Sequence, residues 1–188
     1  MPQQVHEVLT LPQFLRMPEV KPALEFIRGR IVQKVSPNLH HSLIATRLAA
    51  RINDFAEPSG VAIALNELRC SFAGESYVPD LSVFLAQRLP LNENGEYAER
   101  AEIAPDLSIE IVSPEQTVAK LTARLHRCIA KGVRSAWLIQ PRRRRVFVFG
   151  PERSVVERSL DETIDGSPVL PGFQLSVAEL FGWLSPRR

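Results

Sequence analysis

Hydrophobic and polar positions fall along this chain in short alternating runs, interrupted by two stretches of helical period. Leu24 to Val35 reads as two β-rich runs around Arg28-Gly29, a hairpin pattern. Ser36-Pro37 ends it, and Leu43, Ile44, Leu48, Ile52 and Phe55 then recur at helical spacing up to Pro58-Ser59-Gly60, with Ser36 as the expected N-cap. Val61 to Leu65, Leu68 to Phe72 and Val78 to Leu85 are short β-prone runs. Residues 86–105 form an acidic connection, long enough to suggest a functional loop. In the next run Leu107, Ile109 and Ile111 share one strand face, and Ser108, Glu110 and Val112 the other. Ser113-Pro114-Glu115-Gln116 matches a capping box and predicts that a helix follows at once. Its buried stripe is Val118, Leu121, Leu125, Cys128 and Ile129; Lys120, Arg124, Arg127 and Lys131 form a second, cationic stripe, and Gly132 closes it. Ala136 to Gln140 and Val146 to Gly150 predict a hairpin around Pro141 and four arginines. The tail predicts a strand from Ser154, turns at Asp165-Gly166 and Pro171-Gly172, and a terminal helix near Val177 to Phe181. The class is mixed α/β.

At 188 residues with 45% apolar content, the chain is expected to form one domain, residues 1–20 serving as lead-in and 21–188 as core. No apolar run reaches the roughly 20 residues of a spanning helix, and the opening MPQQVHEVL lacks the pattern of a secretory signal, so a cytoplasmic location is expected. Cys70 and Cys128, without CxxC spacing, read as small buried apolar residues and offer neither a disulfide framework nor a zinc motif. The net charge of +2 conceals a reversal. Residues 80–112 hold seven acids against Arg88 and Arg100, and residues 113–153 hold ten Lys/Arg against Glu115 and Glu152. An acidic segment next to a basic one suits a cation-binding centre beside a surface for a polyanion.

The acidic segment contains a near-repeat, Pro79-Asp80-Leu81-Ser82 and Pro105-Asp106-Leu107-Ser108. Asp106 and Glu110 share a strand face, but four residues at ~3.3 Å each set them ~13 Å apart, too far to hold one ion. Asp106 is therefore read as a strand-start residue. If the strand after Asp80 runs antiparallel to the one ending at Val112, Asp80 meets Glu110. Glu110 lies inside an apolar strand, where an unpaired carboxylate would cost several kcal/mol. Its partner is either a cation or backbone group of the protein, or a divalent metal shared with Asp80. Two carboxylates completed by waters suit Mg²⁺.

Together these residues resemble a family. Pro79-Asp80 with Glu110-Ile111-Val112 resembles the PD-(D/E)xK nuclease superfamily. The order Glu25, Gly29, Ser36-Pro37, His41, Val78-Pro79-Asp80, Glu110 to Pro114, Gly132-Val133, Trp137 to Pro141, Gly172-Phe173 and Glu179 to Phe181 is similar, over nearly the whole chain, to the Uma-type family of restriction-endonuclease-like proteins. The resemblance implies a central mixed sheet flanked by helices, with an N-terminal hairpin, and a Mg²⁺-dependent (or Mn²⁺-dependent) endonuclease that hydrolyses DNA, expected as a homodimer. It implies Asp80 and Glu110 as metal ligands and catalytic residues, with Glu25 completing the metal set. Val112 stands where the superfamily has its lysine. The resemblance moves that role to the following helix, where Lys120 and Arg124 are the candidate cations. It also makes His41 a candidate phosphate or water contact. The run Arg142, Arg143, Arg144 and Arg145 is a candidate for DNA phosphates, each contact adding salt-dependent affinity. Trp137 is expected in the core. Two alternatives stay open: a catalytically inactive nucleic-acid-binding or protein-binding module on the same scaffold, and a metal-dependent hydrolase of smaller phosphoesters.

Overall fold

A computed structural model of the protein describes residues 9–186, so most of the predicted lead-in, residues 1–8, lies outside the described residues. In chain order a one-turn helix α1 (Leu11–Phe14) precedes the hairpin β1 (Leu24–Ile27) and β2 (Arg30–Gln33), then the long helix α2 (Leu39–Ala56). Four short strands follow: β3 (Ala62–Asn66), β4 (Cys70–Phe72), β5 (Glu75–Tyr77) and β6 (Leu81–Leu85). Next come β7 (Leu107–Ile111), α3 (Val118–Ala130), β8 (Ser135–Gln140), β9 (Arg145–Phe149) and β10 (Val155–Arg158). The chain closes with β11 (Thr163–Asp165), β12 (Gln174–Ser176) and α4 (Val177–Gly182).

The strands make two principal sheets. A six-stranded mixed sheet runs β10-β9-β8-β7-β6-β3, with β7 and β8 its one parallel pair, joined across α3. That is how parallel neighbours must connect: a crossover long enough to bring the chain back to the same end. A four-stranded antiparallel sheet runs β2-β1-β5-β4. Strand alternation assigns the two faces of the larger sheet as the sequence pattern required. Leu81, Val83, Leu107, Ile109, Ile111, Trp137 and Ile139 pack against α2, α4 and the C-terminal segment. Ala136, Leu138 and Phe149 on the opposite face meet Leu121 and Leu125 of α3. Beside them Phe84 meets Cys70, Phe72 and Tyr77 of the smaller sheet. Asp80 and Glu110 project from this second face, where α3 and the smaller sheet come together.

Three local predictions shift. Helix α2 starts at Leu39 with Asn38 as its cap, whose Oδ1 accepts the His41 N–H at 3.0 Å, and Ser36 is not the cap. Pro37 biases the residue before it toward extended backbone, and the helix nucleates after the proline instead. Ser113 to Gln116 form a separate turn, Gln116 Oε1 accepting from Ser113 N–H at 3.0 Å, and α3 begins only at Val118. The long acidic connection is ordered by Asn92, whose Oδ1 accepts the N–H groups of Asn94 and Glu96, and by a bridge between Ala101 and Cys70. The predicted β1–β2 turn falls at Arg28-Gly29, both at positive φ (53° and 74°). Tight two-residue hairpins need that sign at both positions. Arg28 is held in this conformation by donating its N–H to buried Glu75 at 2.9 Å.

The near-repeat acids separate cleanly. Asp106 is fully buried, accepts the Leu85 N–H at 2.9 Å and pairs with Arg88 (2.6 Å) and Arg134 (3.1 Å), so it ties the start of β7 to the end of β6. Replacing Asp106 with Ala leaves the Leu85 N–H without its acceptor and is expected to lower stability by roughly 1–3 kcal/mol, read from urea denaturation midpoints.

Candidate active site

The antiparallel register Leu81↔Ile109, Ser82↔Ser108 continues to Asp80 beside Glu110, and the Ile111 N–H donates to Asp80 Oδ2 at 2.7 Å. Asp80 is nearly fully buried. Lys34, one residue past β2, places Nζ 2.6 Å from Asp80 Oδ1 and also donates to the Val78 carbonyl at 2.7 Å. His41, in the first turn of α2, brings Nε2 to 2.9 Å from Asp80 Oδ2. Burial works against the Asp80 charge, but Lys34 and His41 outweigh it and hold its proton affinity well below the usual carboxylate range. Lys34 is likewise desolvated, yet Asp80 and Glu110 beside it keep its ammonium charged more firmly than usual.

Glu110 is in a different position. Its closest cation is Arg124 of α3, with Nε 2.9 Å from Glu110 Oε1, yet neither atom makes an aligned hydrogen bond. The guanidinium is committed elsewhere. Both its Nη atoms grip Glu25 of β1, Nη2 donating to Oε1 at 2.7 Å and Nη1 to Oε2. Glu25 Oε1 also accepts the Val78 N–H at 2.6 Å, and Tyr77 lies under the guanidinium at 5.2 Å. Arg124 is buried, but Glu110 and Glu25 more than offset the cost to its charge. Glu110 gains less: burial first, then the nearby charges of Asp80 and Glu25, raise its pKa to about 7 against the pull of Arg124 and Lys34.

Three buried carboxylates thus face two fixed cations, and the uncompensated charge falls on Glu110, whose Oε1 is a buried acceptor without a donor. This donor set fits a small hard cation at Asp80 and Glu110, since Mg²⁺ commonly takes one or two protein carboxylates and fills the remaining octahedral positions with water and phosphate. Glu25 is engaged on both oxygens, by the two Nη atoms of Arg124 and by the Val78 N–H, as Asp80 is by Lys34, His41 and the Ile111 N–H. Glu25 is the anchor of Arg124. Among the described residues no three His, Cys, Asp or Glu are grouped as a metal cage.

The other predicted site residues are placed as follows. Lys120 is exposed on the first turn of α3 and pairs with none of the three carboxylates, whereas Arg124, one turn on, meets Glu25 and Glu110, and Lys131 at the end of the helix meets Glu75. His41 is buried against Asp80 with Nδ1 unpartnered, so it does not present a surface for nucleic acid. Arg142 lines a groove with Asn38, Leu39, His40, Val112 and Pro114 at the ends of β7 and β8, next to the buried centre. Arg143 and Arg144 are exposed at the hairpin tip, while Arg145 turns to Glu157 at 2.9 Å. Val112 packs beside Leu121 and Leu125 under α3, and Trp137 is buried in the core. Lys34 was not singled out by sequence, although a signal existed. The hairpin pairs Glu25 with Val32, and Lys34, two residues on, shares their face.

The family model Uma2, described as "Putative restriction endonuclease", matches residues 11–178. Among solved structures, a "putative nuclease belonging to DUF820" from Anabaena variabilis is 40% identical, with a TM-score of 0.90 over 94% of this chain and 99% of that one. No curated protein matches.

Glu110 carries a pH signature. Between the ordinary value of 4.5 and about 7 the folded protein keeps a proton on Glu110 that the unfolded chain has released, so this group lowers stability as pH rises through that window. Glu110→Gln removes the effect. In thermal melts with chelator, the variant is expected to gain on the parent protein between about pH 5 and about pH 8.

Proposed function

From a chain that belongs to the Uma2 family of putative restriction endonucleases, we infer a divalent-metal-dependent nuclease that cleaves DNA phosphodiester bonds at Asp80 and Glu110. One observation carries the reading: adjacent antiparallel strands bring two buried carboxylates together, and one of them, Glu110, has beside its buried Oε1 only the Nε of Arg124, at 2.9 Å and out of hydrogen-bond alignment. Asp80 and Glu110 would hold the metal. When bound there, Mg²⁺ or Mn²⁺ supplies Lewis-acid polarisation of the phosphate and an attacking water of lowered pKa.

The protein's own contribution is positioning. His41 and the Ile111 N–H fix one oxygen of Asp80, so that carboxylate cannot rotate away from the sheet. Arg124, clamped by Glu25 and backed by Tyr77, sets the field around Glu110 without leaving its place. The groove holding His40 and Arg142, with Arg143 and Arg144 beyond it, offers cationic contacts for a phosphate backbone. A second reading, a DNA-binding module without cleavage, draws support from the cations of the protein's own that stand beside all three carboxylates.

The two readings divide in a plasmid-nicking assay. Cleavage is expected with Mg²⁺ or Mn²⁺, and Asp80→Asn or Glu110→Gln should reduce it on the order of 100-fold or more. Nicking unchanged by both substitutions would rule the site out, and salt-sensitive binding without nicking under any metal would favour the module. Replacing Arg142, Arg143 and Arg144 with Ala should weaken DNA binding and flatten the plot of log affinity against log salt, by about 0.9 for every phosphate the variant no longer neutralises.

A further inference from the structure

We propose that Lys34 is the catalytic cation of this centre, delivered from the end of the β1–β2 hairpin instead of from the strand of Glu110 or from α3. The proposal rests on the nuclease reading above.

The other cations are each unavailable for a different reason. Val112, the strand position where the resemblance sets a lysine, is apolar and packed beside Leu121 and Leu125. Lys120 is solvent-exposed and unpaired with any carboxylate of the site. Arg124 has both Nη atoms on Glu25, Nε against Glu110 and one face on Tyr77, so it is built into the wall. His41 has Nε2 on Asp80, and its remaining nitrogen is buried.

Lys34 is held by two contacts but keeps a donor in reserve. An ammonium carries three N–H bonds. Two are committed, to Asp80 Oδ1 at 2.6 Å and the Val78 carbonyl at 2.7 Å, and no described residue takes the third. Its side chain is a tenth exposed, about as much as that of Arg124. A compact point charge on a flexible four-carbon stem can follow an oxygen from ground state to transition state better than a clamped guanidinium. Lys34 is thus placed to touch a phosphate oxygen of DNA lying against Asp80 and to offset the negative charge that builds there during hydrolysis. Lys34 Nζ lies on Asp80 Oδ1, so an ion bound to that oxygen would have to compete with the ammonium.

The test compares the full-length parent protein, Lys34→Met, Lys34→Gln and Lys34→Arg in three measurements: single-turnover cleavage of duplex DNA at saturating Mg²⁺, Mn²⁺ affinity by calorimetry without DNA, and DNA affinity without metal. For Lys34→Met, cleavage is expected to fall about 100- to 1000-fold. DNA affinity should stay within about threefold, because Lys34 would supply only one of several phosphate interactions. Mn²⁺ affinity should be equal or higher, because the competing ammonium is gone. Lys34→Arg should recover at least about tenfold of the missing rate. Lys34→Gln retains an N–H donor for the Val78 carbonyl and stands in if the Met variant does not fold. Cleavage by Lys34→Met or Lys34→Gln within about threefold of the parent overturns the proposal. So does a fall in Mn²⁺ affinity parallel to the fall in rate, which would make Lys34 a support for Asp80 alone. If the parent fails to cleave with any divalent metal, the nuclease reading itself falls and the proposal with it, an outcome distinct from an active parent matched by its Lys34 variants.

Discussion

Charge burial is the constraint that organises this molecule. Glu25, Asp80 and Glu110 are each at least 96% shielded from solvent, and in such surroundings an isolated carboxylate would cost far more than a small domain's margin of stability. The protein answers with two fixed cations, one histidine and backbone N–H groups, but not with full neutrality. What remains on Glu110 is a deficit that packing tolerates and that a divalent ion would remove. Structural economy alone would have filled this space with apolar side chains, which are commonly as stable as a buried ion pair or more so.

The architecture divides the work between its two sheets. The six-stranded sheet supplies Asp80 and Glu110 by strand register alone, and its apolar face against α2 and α4 holds that register in place. The smaller sheet contributes Glu25 and the Lys34 that follows its edge strand, while the helices add His41 and Arg124. A second polar network sits below. Glu75 binds Lys131 at 2.7 Å, the Tyr77 hydroxyl and the Arg28 N–H, fastening the hairpin turn to the end of α3. That brace fixes the hairpin relative to α3, so Lys34 and Arg124 approach the carboxylates from opposite sides with little freedom to drift.

Much of this is legible in the sequence. Period-two alternation locates β7 and its polar face, the distance between Asp106 and Glu110 dismisses the former as a ligand, and antiparallel pairing brings Asp80 to Glu110. The parts that escape share a cause: they depend on which of several equivalent-looking polar residues turns inward. Lys34 follows a hairpin strand and Lys120 lies in a helix, and neither pattern by itself says which lysine reaches the carboxylates; the packing of the hairpin against the Asp80 strand selects Lys34. Likewise nothing near Glu25 in the sequence shows that it clamps Arg124, 99 residues away. The start of α2 moves for a simpler reason, the competition of Ser36 and Asn38 on either side of Pro37.

That same separation in sequence bears on how the molecule comes into being. The Lys34 to Asp80 contact closes a loop of 46 residues and the Glu25 to Arg124 clamp one of 99, while Glu110 waits for β8 to arrive across the crossover before its strand is paired on both sides. Loops of such length make high-contact-order assembly slow and push these pairings late in folding. A nascent chain that has extended only through β6 holds Asp80 and Lys34 but neither Glu110 nor Arg124, so the charge cluster is only half assembled until β7 and α3 have left the ribosome.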